Sequence, residues 1–262
     1  MADQLLLPLE PGRPGLPPPL RPMLARPGRT PFDAADHLFE PRWGGERLLA
    51  AVAPGRPARL HDARGRDLAP NLPELADLGT SVGAASALLD GELVVADAAG
   101  RADPVALAAR IAGMAGPAAA YLVFDILDLD GRPLLALPLE RRRELLLATV
   151  ASGPGATPAG SLVVVPAIAG AGIDLHRAAT AQGLHGIVGR HRRGPYLPGV
   201  RSRTWRFVPC DPPDGVAESA DEVADDAAGV PGDAGRGAPV DLAAAMPVRP
   251  IIAVFERLPL GD

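Results

Sequence analysis

The stretch Leu-Phe-Glu-Pro-Arg-Trp-Gly-Gly-Glu-Arg occupies residues 38–47 of the chain. It leads directly into an apolar segment at residues 47–53, which stops at the turn pair Pro54-Gly55. A short apolar run that ends at a Pro-Gly pair is typical of a β-strand. The charged stretch is therefore predicted to enter a strand of the folded domain.

Apolar runs on the C-terminal side of this stretch repeat the pattern. Together with the first segment, they predict strands at 47–53, 88–96, 121–127, 161–168, 186–190 and 205–209. Two helices are predicted at 104–115 and 139–150, and a last short strand at 248–258. Strands outnumber helices and do not alternate with them regularly. This favours an α+β fold with antiparallel sheets flanked by a few helices over a doubly wound parallel sheet.

The composition adds one chemical constraint. The chain has 262 residues, of which 47% are hydrophobic, so it can bury a sizeable core. Lysine is absent, and all 26 basic residues are arginine. A coding bias toward Ala, Gly, Pro and Arg is the simplest explanation. Its consequence is that no reaction that needs a side-chain amine can run on this chain.

Charge is distributed unevenly along the chain. The net charge is −5, but residues 211–241 hold nine acidic residues and one arginine, which leaves +3 for the remainder. A segment rich in Asp, Gly, Ala and Pro is predicted to be a disordered acidic linker. Two interpretations fit this segment. It is an arm that binds a partner or competes for the arginines of the rest of the chain, or it is an inert solubilising tail.

Several classes of protein are excluded at this point. One cysteine, Cys210, allows no intramolecular disulfide and no Cys-rich zinc site. No apolar run reaches the roughly 20 residues of a membrane span, and the N-terminus lacks the basic start of a secretion signal. We therefore expect a cytoplasmic protein without a membrane partner.

A set of short motifs, in a fixed order, carries a family resemblance. The motifs are Pro22-Met23-Leu24-Ala25, residues 38–47, Gly65-Arg66-Asp67-Leu68, Leu89-Asp90-Gly91-Glu92, residues 121–131, residues 138–142, residues 183–188 and residues 196–205. They resemble the adenylation domain of ATP-dependent DNA ligases, most closely the bacterial non-homologous end-joining type. The resemblance implies an ATP-grasp-like adenylation domain.

This resemblance sets the domain boundaries that we expect. Residues 1–21 form a Pro-rich extended lead-in, 22–210 the adenylation-like domain, 211–247 the acidic disordered linker and 248–262 a short C-terminal segment. Only 53 residues follow Pro209. We therefore expect none of the oligonucleotide-binding barrel that follows the adenylation domain in ligases of this family.

The resemblance also implies a chemistry, and the sequence departs from it at the reacting group. In the family, a lysine in the motif Glu-x-Lys-x-Asp-Gly-x-Arg attacks the α-phosphorus of ATP and becomes adenylated. Here Glu40, Gly45 and Arg47 match that motif, but Arg42 stands in place of the lysine and Gly44 in place of the aspartate. A guanidinium stays protonated and has no free nitrogen lone pair with which to attack phosphorus.

Later motifs depart from the family in the same way. His185 replaces a metal-linked carboxylate, Arg190 replaces a lysine, and Phe207 and Pro209 replace two phosphate-binding lysines. A bias toward arginine explains the change at positions 42 and 190. It does not explain glycine, histidine, phenylalanine or proline at the others. The pattern predicts that catalysis has been lost while the fold is kept.

The remaining matches define a candidate nucleotide site. The resemblance assigns Glu40, Arg47, Glu92 and Phe124 to ATP or AMP binding, with Phe124 stacking on adenine and Glu92 at the ribose or a metal-linked water network. The same four residues could instead persist because strands pack around them. His185 in place of a carboxylate argues against a bound Mg²⁺.

Two functional hypotheses follow. The first is a catalytically inactive homologue of ATP-dependent DNA ligase, with nucleotide binding, DNA binding and a repair-protein partner left open. DNA contact would use a cluster of arginines interleaved with Tyr196 and Trp205, although these arginines also fit a solvated surface. The arginines are Arg190, Arg192, Arg193, Arg201, Arg203 and Arg206. The alternative is an active ATP-dependent DNA ligase that seals nicks through an enzyme-adenylate.

Overall fold

Two β-sheets form the centre of the molecule. The computed structural model describes residues 20–153, 161–210 and 249–259. Almost all of the predicted lead-in, at residues 1–19, and the predicted acidic linker at 211–247 lie outside the described residues. None of the helices in the described part of the chain is long and apolar enough to cross a membrane.

The first sheet has five strands. In spatial order they are β1 (Leu24–Pro27), β11 (Arg201–Pro209), β10 (Gly186–His191), β2 (Ala34–Arg42) and β9 (Ile168–Gly170). All neighbours are antiparallel except β1 and β11, which run parallel. Strand β2 contains Pro41, which lies beyond the last residue that pairs with β9, where a missing backbone N–H costs no ladder hydrogen bond on that side.

The second sheet has six strands. They are β4 (Arg56–Asp62), β3 (Glu46–Ala53), β5 (Ala87–Val94), β6 (Ala120–Leu129) and β7 (Arg132–Pro133), with β8 (Leu162–Val164) running parallel to β6. Every residue of β5 is buried, because both faces of this central strand are covered. Four α-helices follow in the described part of the chain: α1 (Pro104–Ile111), α2 (Leu139–Ala151), α3 (Gly172–Ala181) and α4 (Arg249–Phe255). Three short 3-10 helices lie between β4 and β5, at Ala69–Asn71, Pro73–Leu75 and Leu78–Ser81.

Alternating side chains of the second sheet pack into two separate hydrophobic cores. Leu49 and Ala51 of β3 point into the core shared with the first sheet, α3 and α4. Leu48 and Ala50 point the other way, into a core with α1 and α2. This is the period-two geometry of a strand, and it explains why the apolar runs of the sequence are nearly continuous.

The structure confirms the α+β class and the two predicted helices, and it changes several strands. Strands β1, β2, β4 and β7 and helix α3 were not predicted. The predicted strand at 161–168 is two short strands, because the chain leaves the sheet around Pro166.

The predicted strand at 248–258 is wrong, because this segment contains helix α4. Pro250 fits the first turn of a helix, where its missing N–H is not needed. Ile251, Val254 and Leu258 are buried at the spacing of one helical face.

Candidate functional site

Residues 43–45 connect the two sheets, since β2 ends at Arg42 in the first sheet and β3 begins at Glu46 in the second. Glu92 of β5 holds this loop. Its carboxylate accepts hydrogen bonds from the backbone N–H groups of residues 43, 44 and 45 at 3.2, 2.7 and 2.6 Å. Both carboxylate oxygens are used, so Glu92 anchors the loop that joins the sheets.

Glycine is required at two positions of this loop. Gly44 has a φ of 85°, which disfavours residues with a Cβ atom, and an added Cβ would lie 2.8 Å from the Cγ of His185. At Gly45, an added Cβ would lie 2.1 Å from the carbonyl oxygen of Leu93. An aspartate at position 44, as in the family motif, would therefore collide with His185 in this arrangement.

Arg42 lies between a carboxylate and an aromatic ring. Its Nε is 3.8 Å from Oε1 of Glu92, and its guanidinium carbon is 4.8 Å from the centroid of the Phe207 ring. Phe207 in turn stacks on His185, with the ring centroids 5.2 Å apart and the planes 12° apart. We call these three side chains, Arg42, Phe207 and His185, the Arg42 cluster. It places a permanent cation and two rings where the family motifs have lysines and a carboxylate.

Glu40 lies deeper in the molecule and is 1% exposed. Its carboxylate forms ion pairs with Arg143 of α2 and Arg190 of β10. Arg143 also donates to the carbonyl oxygens of Phe124 and Val165, at 3.0 and 2.7 Å. Burial raises the pKa of the Glu40 carboxyl, and the two arginines oppose that rise. Both oxygens of Glu40 are thus engaged by arginines of the chain itself.

Two arginines contact the ring of Phe124. The guanidinium carbon of Arg190 is 3.9 Å from the ring centroid, and that of Arg47 is 4.5 Å from it. Both guanidinium groups also approach Trp205, at 4.4 Å for Arg190 and 5.6 Å for Arg47. Such distances are those of cation–π contacts. Phe124 itself is buried.

A second charged pair holds Arg47 in place. Its Nε and Nη2 donate to the two oxygens of Asp90, each at 2.6 Å. Tyr196 donates its hydroxyl to Asp90 at 2.7 Å and accepts the backbone N–H of Met23. Burial disfavours the Arg47 cation, but Asp90 outweighs that effect and raises the pKa of Arg47. The pair links β3 and β5 to the segment that precedes β1.

Sequence reasoning predicted none of the buried ion pairs and hydrogen bonds that these residues form. Asp90, Tyr196 and Arg143 lay inside or beside the quoted motifs, but their partners are distant in the chain. Arg142 is equally unexpected, because it forms a fully buried, bidentate pair with Asp125 at 2.8 Å on both arms. The sequence signal that could have indicated these buried pairs was the run of arginines at the start of α2, a helix that otherwise has an apolar face. A charged residue on a buried face needs a partner.

The predicted DNA-contacting arginines separate into two groups. Arg190 is 3% exposed and paired with Glu40, so the DNA contact predicted for it is wrong. Arg192 lies 3.2 Å from Glu140 and is partly exposed. Arg193, Arg201 and Arg203 are exposed, and no described carboxylate forms an ion pair with them. Arg206, which the sequence also pointed to, is exposed as well. It faces Arg26 across β11 and β1, and Arg26 is an exposed arginine that the sequence did not single out.

Comparison with known proteins identifies the family. A family model described as the ATP dependent DNA ligase domain matches residues 22–206. The chain belongs to the ATP-dependent DNA ligase family. The match begins before β1 and extends into β11, so it includes both sheets.

Individual ligases give the same result. The multifunctional non-homologous end joining DNA repair protein LigD of Mycobacterium tuberculosis is 33% identical over 187 residues, which are 71% of this chain and 23% of that protein. The SPbeta prophage-derived DNA ligase-like protein LigB of Bacillus subtilis is 28% identical, over 71% of this chain and 66% of that protein. A solved structure of mycobacterial DNA ligase D complexed with ATP and MES superimposes with a TM-score of 0.62 at 30% identity, covering 72% of this chain and 60% of that one. The chain therefore spans about a quarter of the M. tuberculosis relative.

The ligase fold brings the four predicted nucleotide-site residues to one region between the sheets. Glu92 lies beside Arg42 at the connecting loop. Arg47 contacts the ring of Phe124 directly, and Glu40 is linked to that ring through Arg190. The polar and aromatic groups that the resemblance assigns to ATP are, however, already bound by side chains or backbone of the chain.

A divalent metal does not fit these residues. Glu92 gives both oxygens to backbone N–H groups and has a guanidinium 3.8 Å away, which would repel a cation. His185 stacks on Phe207. Across residues 20–153, 161–210 and 249–259, no group of three or more His, Cys, Asp or Glu side chains is placed to hold a metal ion.

Proposed function

We propose that this chain is a non-catalytic member of the ATP-dependent DNA ligase family that binds DNA and does not form an enzyme-adenylate. The observation that carries the proposal is Arg42, which occupies the position of the nucleophilic lysine in a chain without lysine. Nucleophilic attack on phosphorus needs a lone pair, and the arginine guanidinium does not provide one at any ordinary pH.

The neighbours of Arg42 support the proposal. Lysine chemistry of this kind requires groups that lower the amine pKa and neutralise phosphate charge. At the corresponding motif positions the chain has Gly44, His185 and Phe207, and the last two pack against each other. The only charge that the stacked rings of His185 and Phe207 can offer to a triphosphate is that of a protonated histidine.

DNA binding is the part of the family's activity that this chain can keep. Arg193, Arg201 and Arg203 present exposed guanidinium groups, which suit the phosphate backbone. The mycobacterial relative is named as a DNA repair protein of non-homologous end joining. We extend a role in DNA repair to this chain on that basis. A repair-protein partner and a cytoplasmic location stay predictions.

Intact mass spectrometry tests the proposal directly. Purified protein is incubated with ATP and Mg²⁺, and we expect its mass to stay unchanged. The variant Arg42→Lys restores an amine at the nucleophile position. We expect it to remain unmodified too, because Gly44, His185 and Phe207 leave the metal and the leaving pyrophosphate without charged partners.

The two samples separate two explanations. An acid-labile AMP adduct on the unmodified chain would overturn the proposal and establish the alternative hypothesis, an active ligase. An adduct on Arg42→Lys alone would show that the single residue is responsible, and that the other departures from the family motifs matter little.

A further inference from the structure

The planar guanidinium of Arg190 lies next to the ring of Phe124. The guanidinium of Arg190 lies 3.9 Å from its centroid and 4.4 Å from that of Trp205. Phe124 and Trp205 meet edge to face, with centroids 6.4 Å apart, and form an aromatic notch around the guanidinium. Arg190 is 3% exposed, so it fills this notch from within the molecule.

Glu40 fixes Arg190 in the notch. One carboxylate oxygen pairs with Arg190 and the other with Arg143. Arg143 is itself held by two backbone carbonyls, so it cannot move aside to release the carboxylate. A molecule entering the notch would have to break a buried ion pair and leave a charge without its partner, which is strongly unfavourable.

A planar base and a planar guanidinium compete for the same surface. Both stack on an aromatic face, and both offer N–H donors to a carboxylate such as Glu40. We infer that Arg190 occupies the place of the purine in this chain, so that the protein excludes adenine nucleotides, and that removal of Arg190 opens a site for them. This inference deepens the proposed function, on which it rests, because it adds a reason why ATP is not used.

Calorimetric titration with AMP tests the inference without any covalent step. We expect no binding heat and no change in melting temperature when AMP is added to the unmodified protein. In Arg190→Ala, the notch loses the Arg190 guanidinium, while Phe124, Trp205, Glu40 and the Arg47 guanidinium stay. We expect this variant to melt at a lower temperature than the unmodified protein and to recover stability when AMP is added.

Two further variants make the test specific. Arg132→Ala removes an exposed arginine of β7 in the second sheet, and we expect it to behave like the unmodified protein. Glu40→Gln combined with Arg190→Ala avoids leaving a buried carboxylate with one partner fewer. This double variant therefore replaces Arg190→Ala in the titration if the single variant does not fold. Its glutamine side-chain oxygen can still accept a hydrogen bond from an N–H group of the base.

The outcomes are distinguishable from those of the proposed function. AMP binding to the unmodified protein, without an adduct from ATP, would overturn the inference about Arg190 and leave the non-catalytic proposal standing. Folded notch variants that gain no AMP binding would also overturn the inference. An adduct from ATP on the unmodified protein would overturn the proposed function itself.

Discussion

At the scale of single residues, a match to the family motif does not by itself tell what a side chain does in this protein. Glu92 matches the family motif, yet its two oxygens bind backbone N–H groups of the loop that joins the sheets. Glu40 also matches, yet it pairs with two arginines. Their carboxylates stabilise the fold around the site, whether or not a nucleotide is ever present.

Replacing Glu92 measures this structural role. In Glu92→Gln, one acceptor oxygen becomes an NH₂ group that faces a backbone N–H, so a buried donor loses its partner. We expect the free energy of unfolding in urea to fall by about 1–3 kcal/mol. Glu144→Gln is the control, because Glu144 lies in an exposed pair with Arg141. We expect that change to stay within about 0.5 kcal/mol. Equal effects of the two substitutions would contradict the role of Glu92 as an anchor.

At the scale of elements, the C-terminal helix packs onto the loop that carries the site. Ile251 and Val254 of α4 are fully buried in the core between the sheets, and Phe255 meets Trp43 edge to face with centroids 5.3 Å apart. Just after the helix, Arg257 donates to the side-chain oxygen of Gln182 at 2.6 Å. Trp43 belongs to the loop that connects the two sheets and directly follows Arg42. Because Phe255 contacts Trp43, α4 packs against this loop and stabilises it.

The contribution of α4 can be measured with one matched pair of variants. Ile251→Ala leaves a cavity in the core, and we expect it to lower the free energy of unfolding by about 2–5 kcal/mol. Ile173→Ala makes the same chemical change on α3, where the side chain is 39% exposed, so its loss should be much smaller. Urea denaturation followed by tryptophan fluorescence measures both. A negligible effect of Ile251→Ala would mean that α4 does not pack stably on the domain.

At the scale of the whole molecule, the net charge of −5 does not describe the local charge at one edge of the first sheet. Strands β1 and β11 form that edge and carry exposed arginines. Gly194 lies close to Thr204, so Arg193 and Arg203 belong to neighbouring segments. Local fields of this kind attract nucleic acid even when the total charge is negative.

This distribution predicts which arginines contribute to DNA binding. Arg193→Gln combined with Arg203→Gln should weaken binding to a nicked duplex, and the salt dependence of the binding constant should fall by about one per lost phosphate contact. Arg56→Gln with Arg64→Gln changes the charge equally at two exposed positions near the ends of β4 in the second sheet, and we expect it to have little effect. Gel shifts over a range of salt concentrations measure both. Equal weakening by the two double variants would rule out a local DNA surface.

The sequence by itself determined the fold class, the family and the absence of a side-chain amine at position 42. The helices α1 and α2 and most core strands are visible in local patterns, because a strand or helix repeats its apolar spacing within a few residues. The arginine at position 42 and the absence of lysine need no coordinates either.

Only the tertiary structure decided how the site is filled. Arg143 meets Glu40 across 103 positions of the chain, and Arg190 reaches Phe124 from a different sheet. Such pairs leave no local pattern, because their partners are set by how strands pair and how the sheets pack. The segment at 248–258 had the same ambiguity, since a short apolar run fits a strand or a helix until the surface that buries it is known.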